Sequence, residues 1–249
     1  MEKFISNISN FEVLDDHKGL ISTMYEFIQI IDEDILKEEF KTNYTYEGSY
    51  YLIMKSIVQY AKEAFNNILD GNFYTLGAIN RVIVENHIYL YLIKKYKEER
   101  VWAYWIVHSL LKQSKKCNYM DVDSFYEICE ELKVDINIIN SKEFQQTFCN
   151  EWALPITRKT TISNLAKLVS NNLYRDYQYL CDYAHGTSMF LKIHQFTFYE
   201  TFEYHVKILF TYLDNSYFVY SGDKVSEKYV KIKIKIHNMF IENNYNFEV

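Results

Sequence analysis

Hydrophobic positions recur every three or four residues through most of the chain, which is the period of amphipathic helices. A first run begins near Asp15 or Asp16, and a second begins at Thr45 or Tyr46 and stops at Asp70-Gly71-Asn72. Glycine suits the position after a helix, because it adopts left-handed backbone angles without steric cost. The pattern predicts two amphipathic helices that pack as antiparallel neighbours.

A third run, from Phe73 to Tyr96, has apolar residues in every direction around the helix axis. A helix that is hydrophobic on all sides is typical of a central, buried position. This run also carries polar residues: Asn80, Arg81, Glu85, Asn86 and His87. A charge buried among apolar residues must be either paired or used for function.

The rest of the chain also shows helical periodicity, with an irregular stretch at 136–152 and a break at Pro155. Further helices are predicted at 101–114, 123–132, 162–169 (after Thr160 or Thr161), 173–185 (followed by Gly186) and 189–220. Residues 229–236 alternate between apolar and polar with a period of two, which is typical of a strand. Because the rest of the chain is helical, we predict a helix there as well.

Glycine and proline are scarce, with six and one among 249 residues. Average usage is roughly 7% Gly and 5% Pro, so the chain has few of the turn-forming residues that sandwiches, barrels and Gly-rich phosphate loops need. Aromatic residues make up 18% and supply a large core. We therefore predict an all-α fold, a single bundle-like multi-helix domain over residues 1–249 with a C-terminal extension at 223–249.

Charge and cysteine usage narrow the functional classes. The chain has 27 Lys and Arg against 33 Asp and Glu, a net charge of −6, so its surface as a whole does not attract nucleic acid. Local lysine clusters remain, either as basic patches or as solvated helix faces: Lys94, Lys95, Lys97, Arg100, Lys112, Lys115 and Lys116, and Lys224, Lys228, Lys231, Lys233 and Lys235. The four cysteines lack metal-ligand spacing, so no metal and no cofactor is predicted.

The N-terminus lacks the pattern of a signal peptide, and the longest uncharged apolar stretch is Val101–Leu111. A membrane span needs roughly 18 apolar residues, so we expect no membrane association. The scattered thiols suit a reducing compartment. Together these features predict a cytoplasmic protein.

Arg81 and Glu85 are four residues apart and therefore lie on the same helix face. They form either an intrahelical ion pair with a structural role or part of a functional site. His87 follows Arg81 by six positions, a spacing that resembles the loose Arg-x(4–6)-His motif of the HEPN superfamily. That resemblance implies an all-α dimer that cuts RNA, with histidine transferring protons and arginine stabilising the phosphate.

A regular helix places residues six positions apart about 120° apart around its axis, so Arg81 and His87 converge only in a distorted helix or across two subunits. His87 is therefore either a catalytic group or an ordinary histidine at the core edge. His185 ends a predicted helix in Tyr183-Ala184-His185-Gly186, where the negative end of the helix favours a protonated imidazole. It is either an acid–base group or a helix cap.

A more extensive resemblance depends on the order of several motifs. These are Asn80-Arg81-Val-Ile-Val-Glu85, then Glu151-Trp152, then Leu173-Tyr174-Arg175-Asp176-Tyr177, and finally Asp182-Tyr183-Ala184-His185-Gly186-Thr187-Ser188. Over approximately residues 46–212, this order resembles the DUF5677 family. The resemblance implies a helical domain whose distinctive polar residues are Arg81, Glu85 and His185, and members of the family are suspected of roles in bacterial defence. Cys181 stands where the family commonly has serine.

The leading hypothesis is a HEPN-like, metal-independent ribonuclease-type effector of a bacterial defence or toxin system, with RNA as substrate and a homodimer as the active form. Arg81 holds phosphate, Glu85 orients it, and His185, together with His87, transfers protons. The alternative is a non-catalytic helical binding or assembly module, a sensor or neutralising partner for a second protein of such a system. A small-molecule enzyme with a tyrosine-lined pocket also remains open.

Overall fold

The computed structural model describes residues 14, 17–37, 44–117, 120–146, 149–185 and 198–242, and these contain helices and no strand. The helices are α1 (Lys18–Leu36), α2 (Tyr46–Leu69), α3 (Phe73–Lys95), α4 (Val101–Cys117), α5 (Val122–Glu131), α6 (Ile136–Ile139), α7 (Lys142–Gln146), α8 (Ile162–Val169), α9 (Asn171–His185), α10 (Phe198–Ser221) and α11 (Glu227–Glu242), with a 3₁₀ turn at Glu151–Ala153. The all-α prediction is confirmed. Within these residues, no helix combines the length and the apolar character that a membrane crossing requires.

Most predicted helix boundaries agree with the structure to within a few residues. Helix α2 ends before Gly71, whose φ of 66° is the left-handed conformation that glycine adopts freely. The predicted irregular stretch at 136–152 consists of two short helices and the 3₁₀ turn. Three predicted features lie outside the described residues: the start of the first helix at Asp15 or Asp16, Gly186, and residues 189–197 of the predicted long helix.

The C-terminal segment is a helix, as predicted, despite its alternating sequence. Its buried residues follow helical spacing: Tyr229, Ile232, Ile236 and Phe240. Val230 and Ile234, which create much of the alternation, are 39% and 55% exposed. The three-and-four spacing of the aromatic and isoleucine residues therefore decides the structure here.

The chain divides into two compact units. The first contains residues 1–38, 54–87 and 175–249, and the second contains residues 39–53 and 88–174. In the first unit α11 packs along α1, and the Phe27 ring lies 5.2 Å from Phe210 and 5.8 Å from Tyr229, measured between ring centroids. That all 249 residues form a single domain stays a prediction.

In the second unit, α4 packs against α5 and against the 3₁₀ turn at Glu151–Ala153. Asp121 caps α5 by accepting a 2.9 Å hydrogen bond from the Ser124 backbone amide. A serine or aspartate side chain at this position satisfies one of the unpaired amides of the first helical turn.

Candidate functional site

Helix α3 has buried side chains on all sides, as the sequence predicts for a central helix. Its fully buried residues include Ile83, Val84, Ile88, Leu90 and Leu92. Arg81 and Glu85 interrupt this apolar surface, and each side chain is 22% exposed. A pair of charges at the edge of a buried helix is desolvated on one side and open to ligands on the other.

The two charges form an ion pair along one helix face. Arg81 Nε donates to Glu85 Oε1 at 2.9 Å. Helix geometry brings side chains four residues apart within reach of each other, so this contact follows from the sequence spacing. The intrahelical ion pair, one of the two alternatives for Arg81 and Glu85, is therefore formed. Both side chains remain partly exposed, so the pair can also belong to a functional site.

Helix α9 provides a second support for the guanidinium. Arg81 Nη2 donates to the Tyr177 hydroxyl at 3.2 Å, and the guanidinium carbon lies 5.5 Å from the centre of the Tyr177 ring. Contact with an aromatic face adds cation–π attraction to the hydrogen bond. The guanidinium is therefore held at two nitrogen atoms, from two helices, in a defined orientation.

The charge states of this cluster are set by burial and by the neighbouring groups. Burial opposes protonation of Arg81, but Glu85 and Tyr177 outweigh it and raise the pKa of the guanidinium. Burial raises the pKa of the Tyr177 hydroxyl, and a hydrogen bond with Cys181 adds to the shift. At neutral pH the cluster thus presents a permanent cation beside a neutral phenol.

His87 lies in a different environment from Arg81. Its Nδ1 is 2.9 Å from Ser216 Oγ on α10, and its ring meets the edge of the Tyr212 ring. Ser216 Oγ donates to the Tyr212 carbonyl, so the histidine Nδ1–H is the donor to Ser216. Burial lowers the pKa of His87 to about 4, so the imidazole is neutral at physiological pH.

The network around His87 continues to α9. The Tyr212 hydroxyl donates to Asp176 Oδ2 at 2.6 Å, and burial raises the pKa of the Asp176 carboxyl. Asp176 directly precedes Tyr177, so consecutive residues of α9 support the His87 network and the Arg81 cluster. The separation of Arg81 and His87 around α3 agrees with the helix geometry.

Asn80, next to Arg81, is fully buried and donates to the His205 carbonyl at 2.9 Å. His205 is also buried, which lowers its pKa to about 3. These contacts join α3 to α10 through side chains that carry no charge at neutral pH. We assign Asn80 to the attachment of the two helices.

The remaining predicted site residue, His185, is the last residue of α9, but its side chain lies outside the described residues. Gly186, Thr187 and Ser188 of the same motif lie outside them as well. The structure therefore brings Arg81 and Glu85 together, places His87 elsewhere, and leaves the role of His185 a prediction. Within the part of the chain that is described, no cluster of His, Cys, Asp or Glu is arranged to hold a metal ion.

The second unit contains a second polar cluster, which was not predicted from the sequence, although Glu151 is part of the motif order that resembles DUF5677. His108 Nε2 lies 2.8 Å from Glu151 Oε2, and the two side chains are 3% and 6% exposed. Glu151 Oε1 accepts the Cys149 amide at 2.7 Å, and Lys112 Nζ donates to the Cys149 carbonyl at 3.0 Å. Burial and Lys112 lower the pKa of His108 to about 4, against the opposing effect of Glu151.

The sequence held two signals for this cluster. His108 and Lys112 are polar residues one turn apart at the end of the apolar stretch Val101–Leu111, and Glu151 precedes a buried tryptophan. Lys112 is itself desolvated, which lowers the pKa of its amine. Both oxygens of Glu151 accept hydrogen bonds inside the cluster, and His108 and Glu151 have little exposure, so we interpret the cluster as structural.

Comparison with known proteins gives one assignment. No curated protein and no solved structure shows significant similarity to the chain. The model of a family described as a family of unknown function, DUF5677, matches residues 50–198. That range contains Arg81, Glu85, Tyr177 and His185, and it spans more than half of the chain. The chain therefore belongs to the DUF5677 family.

Proposed function

We propose that the chain is a metal-independent endoribonuclease-type effector of a bacterial defence or toxin system. Arg81 binds the scissile phosphate, Glu85 and Tyr177 orient Arg81, and His185 transfers protons. The observation that carries the proposal is the Arg81 cluster: the guanidinium is fixed at two nitrogen atoms, and the Arg81 side chain is 22% exposed on a helix whose other side chains are mostly buried. An oriented cation at a partly desolvated surface is suited to stabilise an anion.

The proposed reaction needs no group besides the chain and the RNA. The 2′-hydroxyl oxygen attacks the adjacent phosphorus while His185 accepts its proton, and the bond from phosphorus to the 5′-oxygen breaks. The protonated His185 gives this proton to the departing 5′-oxygen, and the products are a 2′,3′-cyclic phosphate and a 5′-hydroxyl. Arg81 stabilises the negative charge that builds on the phosphate oxygens.

His87 takes no part in this proposed reaction. It is enclosed by Ser216 and Tyr212, and it lies on a different side of α3 from Arg81. Its lowered pKa keeps the ring neutral, which suits a residue that holds α3 against α10. We therefore give His87 a positioning role and leave proton transfer to His185.

The test is cleavage of a synthetic RNA by the purified full chain in the presence of a chelator. We expect a cyclic phosphate product, no cleavage of a substrate with 2′-deoxyribose at the cut site, and a loss of about 100-fold or more for Arg81→Ala. Arg158→Ala, which removes an exposed arginine elsewhere, serves as the matched control. Failure of the wild-type chain to cut RNA, or full activity of a folded Arg81→Ala variant, contradicts the proposal.

A second function is favoured by a different observation: two donors of Arg81 are already used inside the chain, on Glu85 and Tyr177. A cluster of this kind also serves as a fixed surface feature of a non-catalytic binding module. Under this alternative, Arg81→Lys binds a partner protein less tightly because lysine cannot make both hydrogen bonds, and the wild-type chain cuts no RNA. The RNA assay therefore separates the two proposals.

A further inference from the structure

Helix α11 has an outer face of exposed side chains. With about 100° between successive residues, the side opposite its buried residues carries two stripes, with Glu227, Asn238 and Glu242 between them and Glu227 3.7 Å from Lys231. An apolar stripe contains Val230, Ile234 and Ile241, which are 39%, 55% and 58% exposed. A lysine stripe beside it contains Lys228, Lys231 and Lys235, all exposed. A solvated helix face does not need three large apolar side chains, so this face has the composition of a contact surface.

The second unit carries a surface of the opposite charge. A cavity of about 700 Å³ at α5 and the start of α6 is lined by carboxylates and by apolar groups such as Tyr126, Val134 and Ile136. An acidic stripe on α5, Asp123, Glu127 and Glu130, contributes to this lining. Within the described residues, no ion pair neutralises these three carboxylates. Val122, Tyr126 and Ile136 are exposed beside them.

The spacing of the two charged stripes matches in one direction. The lysine stripe has gaps of three and then four residues, and the acidic stripe has gaps of four and then three. In an antiparallel pairing, Lys228, Lys231 and Lys235 lie opposite Glu130, Glu127 and Asp123, with intervals of about 4.5 and 6 Å on both helices. A parallel pairing puts these intervals out of register.

The order of the stripes around each helix leads to the same direction. When α11 is viewed from its N-terminus, the apolar stripe comes first in the clockwise direction and the lysine stripe follows it. In the same sense, α5 presents Val122 and Tyr126 and then its acidic stripe. Two antiparallel helices bring equivalent sides together, so charge meets opposite charge and apolar side chains meet apolar side chains. Two independent features therefore favour an antiparallel contact.

We propose that α11 of one copy of this chain docks antiparallel on the α5–α6 surface of a second copy. The apolar residues form the centre of the contact, and the lysine and acidic stripes fix its direction. The apolar stripe distinguishes this surface from an RNA-binding face, where lysines are combined with aromatic rings that stack on bases. The acidic cavity supplies the matching charge on the same chain, which favours a second copy over an anionic membrane surface.

Charge reversal tests this contact because each copy carries both surfaces. The first variant combines Lys228→Glu, Lys231→Glu and Lys235→Glu, and the second combines Asp123→Lys, Glu127→Lys and Glu130→Lys. Sedimentation velocity should show that the wild-type chain self-associates, that each variant alone is monomeric, and that an equimolar mixture of the two variants associates again. Ile234→Ser should weaken wild-type association by about tenfold, because an apolar side chain is lost from the contact.

The control variant combines Lys18→Glu and Lys55→Glu, two exposed lysines of other helices, and should associate like the wild type. Far-ultraviolet circular dichroism establishes that each variant is folded. A wild-type chain that stays at its monomer mass of 30.0 kDa, or a variant mixture that stays monomeric, overturns the proposal. Binding of the monomeric chain to phosphatidylserine vesicles that depends on Ile234 assigns the face to a membrane and also overturns it.

Discussion

The Arg81 cluster and the His108 cluster use similar chemistry with different access to solvent. Each has a basic residue on a long helix, a carboxylate within 3 Å and a further group that fixes the geometry. Arg81 and Glu85 are each 22% exposed, whereas His108 and Glu151 are 3% and 6% exposed. An enclosed cluster can stabilise the fold only, while a partly open one can also bind a ligand. Solvent access therefore separates the candidate site from the scaffold.

The largest expected difference between the clusters concerns the removal of their carboxylates. Glu151→Ala leaves His108 and the Cys149 amide without their acceptor and the half-buried Lys112 without a counter-charge, and should lower the free energy of unfolding by about 2–4 kcal/mol. Glu85→Ala removes a part-exposed ion pair and should cost below about 1 kcal/mol. Urea unfolding measures both, with exposed Glu131→Ala as the control. Equal losses for Glu151→Ala and Glu85→Ala contradict the comparison.

Acid should destabilise the fold at its buried histidines while Arg81 keeps its charge. The pKa of His87 and of His108 is lowered to about 4 in the folded chain, against about 6.5 when unfolded. The folded state binds fewer protons, so this stabilisation is present above pH 6.5 and is lost as the pH falls toward 4.

Between pH 7 and pH 5 protonation linked to His87 should reduce the free energy of unfolding by about 2 kcal/mol, and His108 should act in the same direction. Urea unfolding at several pH values measures this slope, and His87→Gln should flatten it because the titrating group is gone. Arg81 stays protonated throughout, because its pKa is raised. A slope that is the same in wild type and His87→Gln shows that His87 does not titrate in this window.

Breaking the hydrogen bond that holds His87 should have an intermediate effect. Ser216→Ala leaves the buried Nδ1–H of His87 without an acceptor and should cost about 1–3 kcal/mol in unfolding free energy. Ser163→Ala, at a part-exposed position on α8, is a matched control. Under our assignment, Ser216→Ala keeps RNA cleavage per folded molecule, and a selective loss of cleavage gives His87 a part in the reaction.

Most of the helical fold could be predicted because periodicity depends on local geometry. Residues that recur every three or four positions share a helix face wherever that helix packs, so α2, α3, α4 and α8 were predicted within a few residues. The hardest segment was α11, where Val230 and Ile234 imitate a strand pattern. Whether this segment forms a helix or a strand depends on which of its isoleucines are buried, and tertiary packing determines that.

Only part of the candidate site could be predicted from the sequence. The contact between Arg81 and Glu85 follows from their spacing, but Tyr177 and Ser216 lie 96 and 129 residues from their partners. No local pattern links residues so far apart. The pairing of Glu151 with His108 was not predicted: Glu151 was named only as part of a motif and His108 was not named, and only packing shows that they are buried together.

Of the variants considered, Tyr177→Phe should change stability least. It also tests whether Tyr177 orients Arg81 for binding or only packs against it. Tyr177→Phe keeps the ring under the guanidinium but removes the hydroxyl that accepts from Arg81 Nη2. Water can reach the part-exposed arginine, so the loss should be about 0.5–1 kcal/mol in unfolding free energy. If the orientation of Arg81 matters for a phosphate, RNA cleavage should fall by about tenfold, well beyond the change in stability. Tyr174→Phe, which alters a part-exposed tyrosine on the same helix, should change neither quantity. Loss of stability without loss of cleavage would show that Tyr177 only packs, and that Glu85 alone orients the guanidinium.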